Sequence, residues 1–199
     1  MNPRSLAFTM AALLLAAPIC GQEPKPAPHE AAKPCDDCMA GVENFSKVTE
    51  AVWRGAQPTA DGFKALEKAG CRTVVNFRHD HDDLPLLKDT HLKYARIPSF
   101  AFNPTEEHLV AFLRIVQDPR NWPIFIHCAQ GRDRTGYNAA CYRIVMQGWT
   151  ADEAIKEMNI FHFNKIWVGN PGFLHKLDPK KLKAQAEAEP KPEFLVWTD

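Results

Sequence analysis

Along the middle of the chain the spacing of hydrophobic positions switches back and forth between two periods. Val48 to Trp53 alternates and predicts a strand. Phe63, Leu66 and Ala69 follow at helical spacing, behind Thr59 as a capping side chain and ahead of Gly70 as a stop. Thr73-Val74-Val75-Asn76-Phe77 is β-branched and predicts a second strand. Residues 78–90 are polar and charged, a loop or a short helix, and Leu92 to Ile97 predicts a third strand. Behind Thr105, the positions Leu109, Phe112, Leu113 and Val116 recur at i, i+3, i+4 and i+7, an amphipathic helix. Pro123-Ile124-Phe125-Ile126 is continuously apolar, as a strand buried on both faces of a parallel sheet would be. A helix from about Arg134 to Gln147 carries Tyr137, Ala140, Cys141, Ile144 and Val145 on one face. Thr150 with Glu153 forms a capping box for a last helix ending near Ile160. Strands interleaved with helices predict an α/β fold: a central, mostly parallel sheet flanked by helices on both faces, in one domain spanning 42–178.

The two ends differ from this middle. Arg4 precedes an uncharged run from Ser5 to Gln22 that is broken by Pro18, shorter than the roughly 20 apolar residues of a spanning helix. Residues 1–21 therefore read as a secretory signal and the expected location is exported, with an uncleaved anchor as the alternative. Cys20 resembles the acylated cysteine of a bacterial lipoprotein, although Ile19 and Pro18 depart from that motif; ordinary cleavage near Gly21 competes with it. Membrane attachment is expected only through Cys20. Residues 22–41 form a Pro- and Ala-rich linker ending in Cys35-Asp36-Asp37-Cys38. That spacing suits a local disulfide, a redox pair or half of a metal site, and no second pair stands at zinc spacing. In the tail, 179–199, residues 180–189 are helix-prone, Pro190 and Pro192 stop them, and Phe194 to Trp197 is an apolar patch expected to dock onto the domain.

Composition narrows the picture further. The 199 residues suffice for one domain once the ends are removed, and a hydrophobic content of 45% supports one core. Lys plus Arg and Asp plus Glu are each 24, so no basic excess points to a nucleic-acid partner. Six cysteines are too few for a disulfide scaffold. Cys71 and Cys141 fall on apolar patterns and read as structural.

The chemistry lies at 127–136. The buried strand runs straight into His127-Cys128-Ala129-Gln130-Gly131-Arg132-Asp133-Arg134-Thr135-Gly136, and a helix begins at once. Strand, loop and helix N-terminus together make an anion site: backbone N–H groups turn inward and the helix adds positive potential. Gly131 permits the turn. A thiol there, with a cation nearby, titrates below its usual value of roughly 8.5, and the planar fork of Arg134 matches two phosphoryl oxygens.

His-Cys-x5-Arg-Thr-Gly resembles the signature of the cysteine-dependent protein tyrosine phosphatases. Arg54-Gly55-Ala56-Gln57-Pro58 and Val75-Asn76-Phe77-Arg78 look like the compact dual-specificity branch with its bacterial members. The resemblance implies a phosphomonoester phosphatase working in two steps. Cys128 attacks phosphorus to give a phosphocysteine, an acid protonates the leaving oxygen, and water then hydrolyses the intermediate. Arg134 clamps the phosphoryl group; Ala129, Gln130, Gly131, Arg132, Thr135 and Gly136 bind it; Thr135 helps release the thiolate; His127 braces Cys128. No cofactor and no metal is implied. The family usually carries its acid on the loop that here reads Pro98-Ser99-Phe100-Ala101-Phe102-Asn103-Pro104, which has no carboxylate. Asp133 is the expected substitute, at a place where myotubularin-like phosphatases have an Asp; the competing reading makes it an exposed partner for Arg132 or a brace within the loop. Glu106 and Glu107 are weaker candidates. Asp80, Asp82 and Asp83 are expected to form a solvated acidic loop, which with His79 and His81 has a smaller prospect of binding metal.

The expected partner is a phosphorylated protein. Arg132 beside Asp133 is similar to phosphoinositide phosphatases, so a phosphorylated small molecule or lipid head group is the alternative. A non-catalytic phosphate-binding module is the reading from another class, supported by the acid-free 98–104 loop. A rhodanese-like sulfur transferase fits the loop length less well.

Overall fold

The computed structural model describes residues 29–188. The signal-like segment 1–21, Cys20 and the 194–197 patch lie outside the described residues. Five strands form one sheet in the order β1-β2-β5-β3-β4: β1 Ser46–Lys47, β2 Val52–Gly55, β3 Thr73–Arg78, β4 Lys93–Ser99 and β5 Ile124–His127. Only the β1–β2 pairing is antiparallel. β5 is central, pairing with β2 along one edge and β3 along the other; helices cover both its faces, all four of its residues are buried, and it tolerates no polar break before His127.

Alternation along β5 sorts its side chains between two cores. Ile124 and Ile126 pack with Ala111, Phe112 and Ile115 of α3 (Glu106–Gln117) and Ala139 and Tyr142 of α4 (Arg134–Gln147). Phe125 packs on the other face, in the cluster with Phe63 and Leu66 of α1 (Ala60–Lys68) and Leu87 of α2 (Leu84–Leu87). An outer layer of α5 (Ala151–Ile160), α6 (Gly169–His175) and α7 (Pro179–Glu187) packs on α3 and α4 through Met158, Leu174, Leu182 and Ala186. α4 is therefore buried on nearly all sides.

Local signals act as their chemistry dictates. Thr59, Thr105 and Thr150 each accept a backbone N–H at a helix start, and Glu153 completes the capping box on α5. The strand expected over 48–53 instead begins at Val52, because the N–H groups of Val48 and Thr49 both donate to the Val52 carbonyl and close a turn. Residues 78–90 include the one-turn helix α2. α6 was not expected: Gly169, Pro171 and Gly172 are poor helix formers, and the segment is held by Leu174 in the core and by Asn170, which donates to the Ala101 carbonyl.

The described part of the 22–41 segment lies against the domain. His29 stacks on Trp149, the Ala32 N–H donates to Glu157, and Cys35 exchanges both backbone hydrogen bonds with Phe45. Cys35 and Cys38 are joined as a disulfide. Among the described residues no helix is long and apolar enough to cross a membrane.

Candidate active site

β5 delivers His127 and Cys128 to the carboxyl edge of the sheet, and α4 starts six residues later. The intervening loop turns at Gly131 with φ +67°, where a Cβ would stand 2.5 Å from the carbonyl of Gly55. The loop thus seats directly on the backbone of β2, and only glycine fits there.

Cys128 is buried, 3% exposed. Burial pushes its thiol up, but the hydroxyl and N–H of Thr135, the Arg134 guanidinium and the Gln130 N–H outweigh it and hold the thiol below its ordinary value. The Thr135 hydroxyl and Arg134 Nε are buried without a partner of hydrogen-bond geometry in the resting site. The Thr135 hydroxyl acts on the sulfur at a looser geometry. Arg134 Nη1 reaches only the Ser99 carbonyl, at 3.5 Å. A cation left this unsatisfied beside a thiol held below its ordinary value is suited to an anion.

Behind Cys128, His127 projects to the α1 face. Its Nε2 lies 2.8 Å from Asp83 Oδ2 and its Nδ1 3.4 Å from the Cys128 carbonyl oxygen. Asp83 is 0% exposed and also accepts from Gln57 Nε2 at 2.7 Å, while Gln57 Oε1 accepts from Arg78. This corrects the expectation of a solvated acidic loop at 80–83: the neighbours Asp80 and Asp82 are outward, but Asp83 is drawn inside by the imidazole. Its burial pushes the carboxyl up, yet His127, Gln57 and His81 more than compensate, so it lies below its usual value. No local pattern distinguishes Asp83 from its neighbours, and the partner that does is 44 residues away. Arg54, which opens the Arg54–Pro58 stretch of the family resemblance, is 0% exposed and donates to the Gly131 carbonyl at 2.8 Å, a role its sequence context did not reveal.

Asp133 is half-buried beside Arg134, and its Oδ1 accepts the Asn164 N–H at 2.8 Å. One oxygen braces the 161–168 segment. Glu106 pairs with Lys181 at 2.6 Å. The 98–104 loop presents carbonyls inward, Ser99 to Arg134 and Phe100 to the Tyr137 hydroxyl, and aromatic rings outward. Phe100 and Phe102 are 43% and 61% exposed and form a row from His79 through Phe100 and Phe102 to Trp167. Among the described residues, the one group of His, Cys, Asp and Glu close enough to share a metal ion is Cys35, Asp37 and Cys38, whose sulfurs are joined to each other.

Residues 38–173 match the family described as DSP-PTPase phosphatase fused to NAD+ kinase. The chain belongs to this phosphatase family. The dual specificity protein phosphatase TpbA of Pseudomonas aeruginosa is 34% identical over 116 residues, 58% of this chain and 53% of the relative. The chain therefore spans about half the length of that relative. In three dimensions, TpbA superposes with a TM-score of 0.68 at 27% identity, covering 79% of this chain and 97% of that one. TpbA in complex with pTyr gives 0.67 at 26% identity, covering 80% and 97%. The catalytic core of the PP-IP phosphatase SIW14 from Saccharomyces cerevisiae gives 0.67 at 27%, covering 75% and 94%.

Proposed function

We propose that this protein hydrolyses phosphomonoesters through a phosphocysteine on Cys128, acting on phosphorylated proteins. The observation that carries this is the pairing of a buried thiol held below its ordinary pKa with an Arg134 guanidinium whose Nε has no partner. The thiolate attacks phosphorus, the S–P bond forms and the P–O bond to the substrate breaks. Arg134 and the loop amides stabilise the equatorial oxygens most strongly at the flattened transition state. Asp133 supplies the proton to the leaving oxygen and then takes one from the water that cleaves S–P, and the Thr135 hydroxyl stabilises the departing thiolate. The exposed row of Phe100 and Phe102 beside the Arg134 loop supports an aromatic phosphate, phosphotyrosine, and TpbA is known in complex with pTyr. A second reading, a phosphorylated inositol, is supported by the likeness to SIW14 and by the exposed Arg132.

A panel of phosphotyrosyl and phosphoseryl peptides, phosphoinositides and inositol phosphates decides between them. Phosphotyrosyl peptides are expected to turn over fastest; preference for inositol phosphates favours the second reading, and stoichiometric binding without turnover overturns both. Asp133→Asn keeps an oxygen for the Asn164 N–H and removes only the proton. It is expected to slow poor leaving groups by about 100-fold or more while sparing activated aryl esters; an equal loss on both makes Asp133 a brace alone. An exported location belongs to the same reading, supported by the 1–21 pattern and the Cys35–Cys38 disulfide. Fractionation of the producing cell tests it.

A further inference from the structure

Three successive carbonyls of the 128–134 loop are each held from outside it. The Gln57 N–H donates to the Ala129 carbonyl at 3.2 Å, Asn44 Nδ2 to the Gln130 carbonyl at 3.0 Å, and Arg54 Nη2 to the Gly131 carbonyl at 2.8 Å. We infer that Asn44 and Arg54 are positioning residues that, with the Gln57 N–H, fix the peptide planes of this loop so that its amides face the anion. This rests on the reading of the loop as a phosphoryl cradle.

In a trans peptide the C=O and the following N–H point in opposite directions. With the Ala129 carbonyl drawn outward, the Gln130 N–H turns inward, and it is this N–H that acts on the Cys128 sulfur. By the same rule, the N–H groups of Gly131 and Arg132 point away from Asn44 and Arg54. Without outside donors the loop has no reason to prefer this orientation, because its inward amides repel one another and its carbonyls are as good a partner for water.

Both side chains are themselves held. Asn44 is 7% exposed and adopts φ 51°, a left-handed conformation that Asn tolerates better than most residues. Its N–H donates to Asp36 Oδ1 at 2.8 Å, inside the turn closed by the Cys35–Cys38 disulfide. The Arg54 guanidinium carbon lies over the Phe161 ring, 3.6 Å from its centroid, a contact that restrains the fork beside Gly131. Burial lowers its pKa to about 10 against the opposing influence of Glu157 and Cys128, so it remains a cation at neutral pH and adds to the field around the sulfur.

The test separates this role from mere backbone support. Asn44→Gly relaxes the left-handed backbone and removes the donor without changing charge; Asn44→Asp keeps shape and backbone, removes the donor and adds a negative charge, so Asn44→Gly sets the value of the donor. Tungstate affinity of the full chain, by calorimetry, and the pH profile of Cys128 alkylation by iodoacetamide are measured beside thermal unfolding. Asn44→Gly is expected to bind tungstate about tenfold more weakly, the value of one hydrogen bond of about 1.4 kcal/mol, and Asn44→Asp more weakly still through its charge. Both are expected to move the alkylation midpoint upward, with unfolding of Asn44→Gly within a few degrees of the parent. Arg54→Lys, which keeps the charge but loses the fork, is expected to do the same; should it not fold, the Asn44 pair decides. Tungstate binding within twofold of the parent together with an unmoved alkylation profile in both Asn44 variants overturns the inference. Failure of the parent to hydrolyse any phosphate ester overturns the phosphatase reading instead. The alkylation profile of Asn44→Gly still decides this inference in that case: a shift upholds it and no shift overturns it.

Discussion

Cys128 and Cys141 are two buried sulfurs, 3% and 0% exposed, at opposite ends of the chemistry a thiol can show. Cys141 sits on the apolar face of α4 with Tyr137 and Ile144, and burial alone drives its thiol far up. Cys71 behaves likewise, pushed to about 12 by burial against a few backbone donors. Cys128 meets the same desolvation and moves the other way. The difference lies in what the backbone offers. A mid-helix residue has its neighbouring N–H groups committed to carbonyls one turn back, whereas the residues after Cys128 precede a helix start, where N–H groups are free. What separates the two thiols is position relative to a helix end, not depth.

Breaking the comparison at its reactive member has the largest expected effect. Cys128→Ser should lower turnover of an aryl phosphate by about 10^4-fold or more while oxyanion binding survives. Iodoacetamide near neutral pH should label Cys128 in the folded protein and reach Cys71 and Cys141 only on unfolding; peptide mapping reads both. Next is the support behind the loop. Asp83→Ala leaves His127 without its buried partner and is expected to cost about 3 kcal/mol of stability in urea unfolding. Because the Asp83 carboxyl lies below its usual value in the folded protein, its contribution is fully present above the unfolded carboxylate value of roughly 4. It is lost as pH falls from there through the lower folded value. Parent and variant should therefore converge in stability on acidification, and a gap that persists at the lowest pH would refute the linkage. The smallest effect belongs to the inert sulfur: Cys141→Ser should cost about 1–2 kcal/mol by burying a hydroxyl and leave turnover by the folded protein within twofold.

Much of this arrangement is legible in the sequence, and what is legible is local. The bounds of α4, the caps at Thr59, Thr105 and Thr150, and the Cys128-to-Arg134 spacing all lie within a turn or a loop, where propensity and spacing speak directly. The parts that escape are joined across the chain. Asp83 reads like Asp80 and Asp82 until His127 is folded against it. Asn44 lies 86 residues from the carbonyl it holds. β2 begins later than its alternation suggests because a turn at Val48 and Thr49 uses the hydrogen bonds first. The helix over 169–175 forms through its burial rather than its composition.

The glycine at 131 carries a consequence for anyone who would rebuild this site. Its backbone rests on the carbonyl of Gly55 with no room for a methyl group, and a Cβ on Gly55 would in turn strike Val42 and Phe125. The reactive loop is therefore not a portable cassette. Grafted onto another α/β scaffold, the ten residues from His127 would need a bare strand end waiting beneath them, so the smallest transplantable unit is the loop together with the floor it stands on.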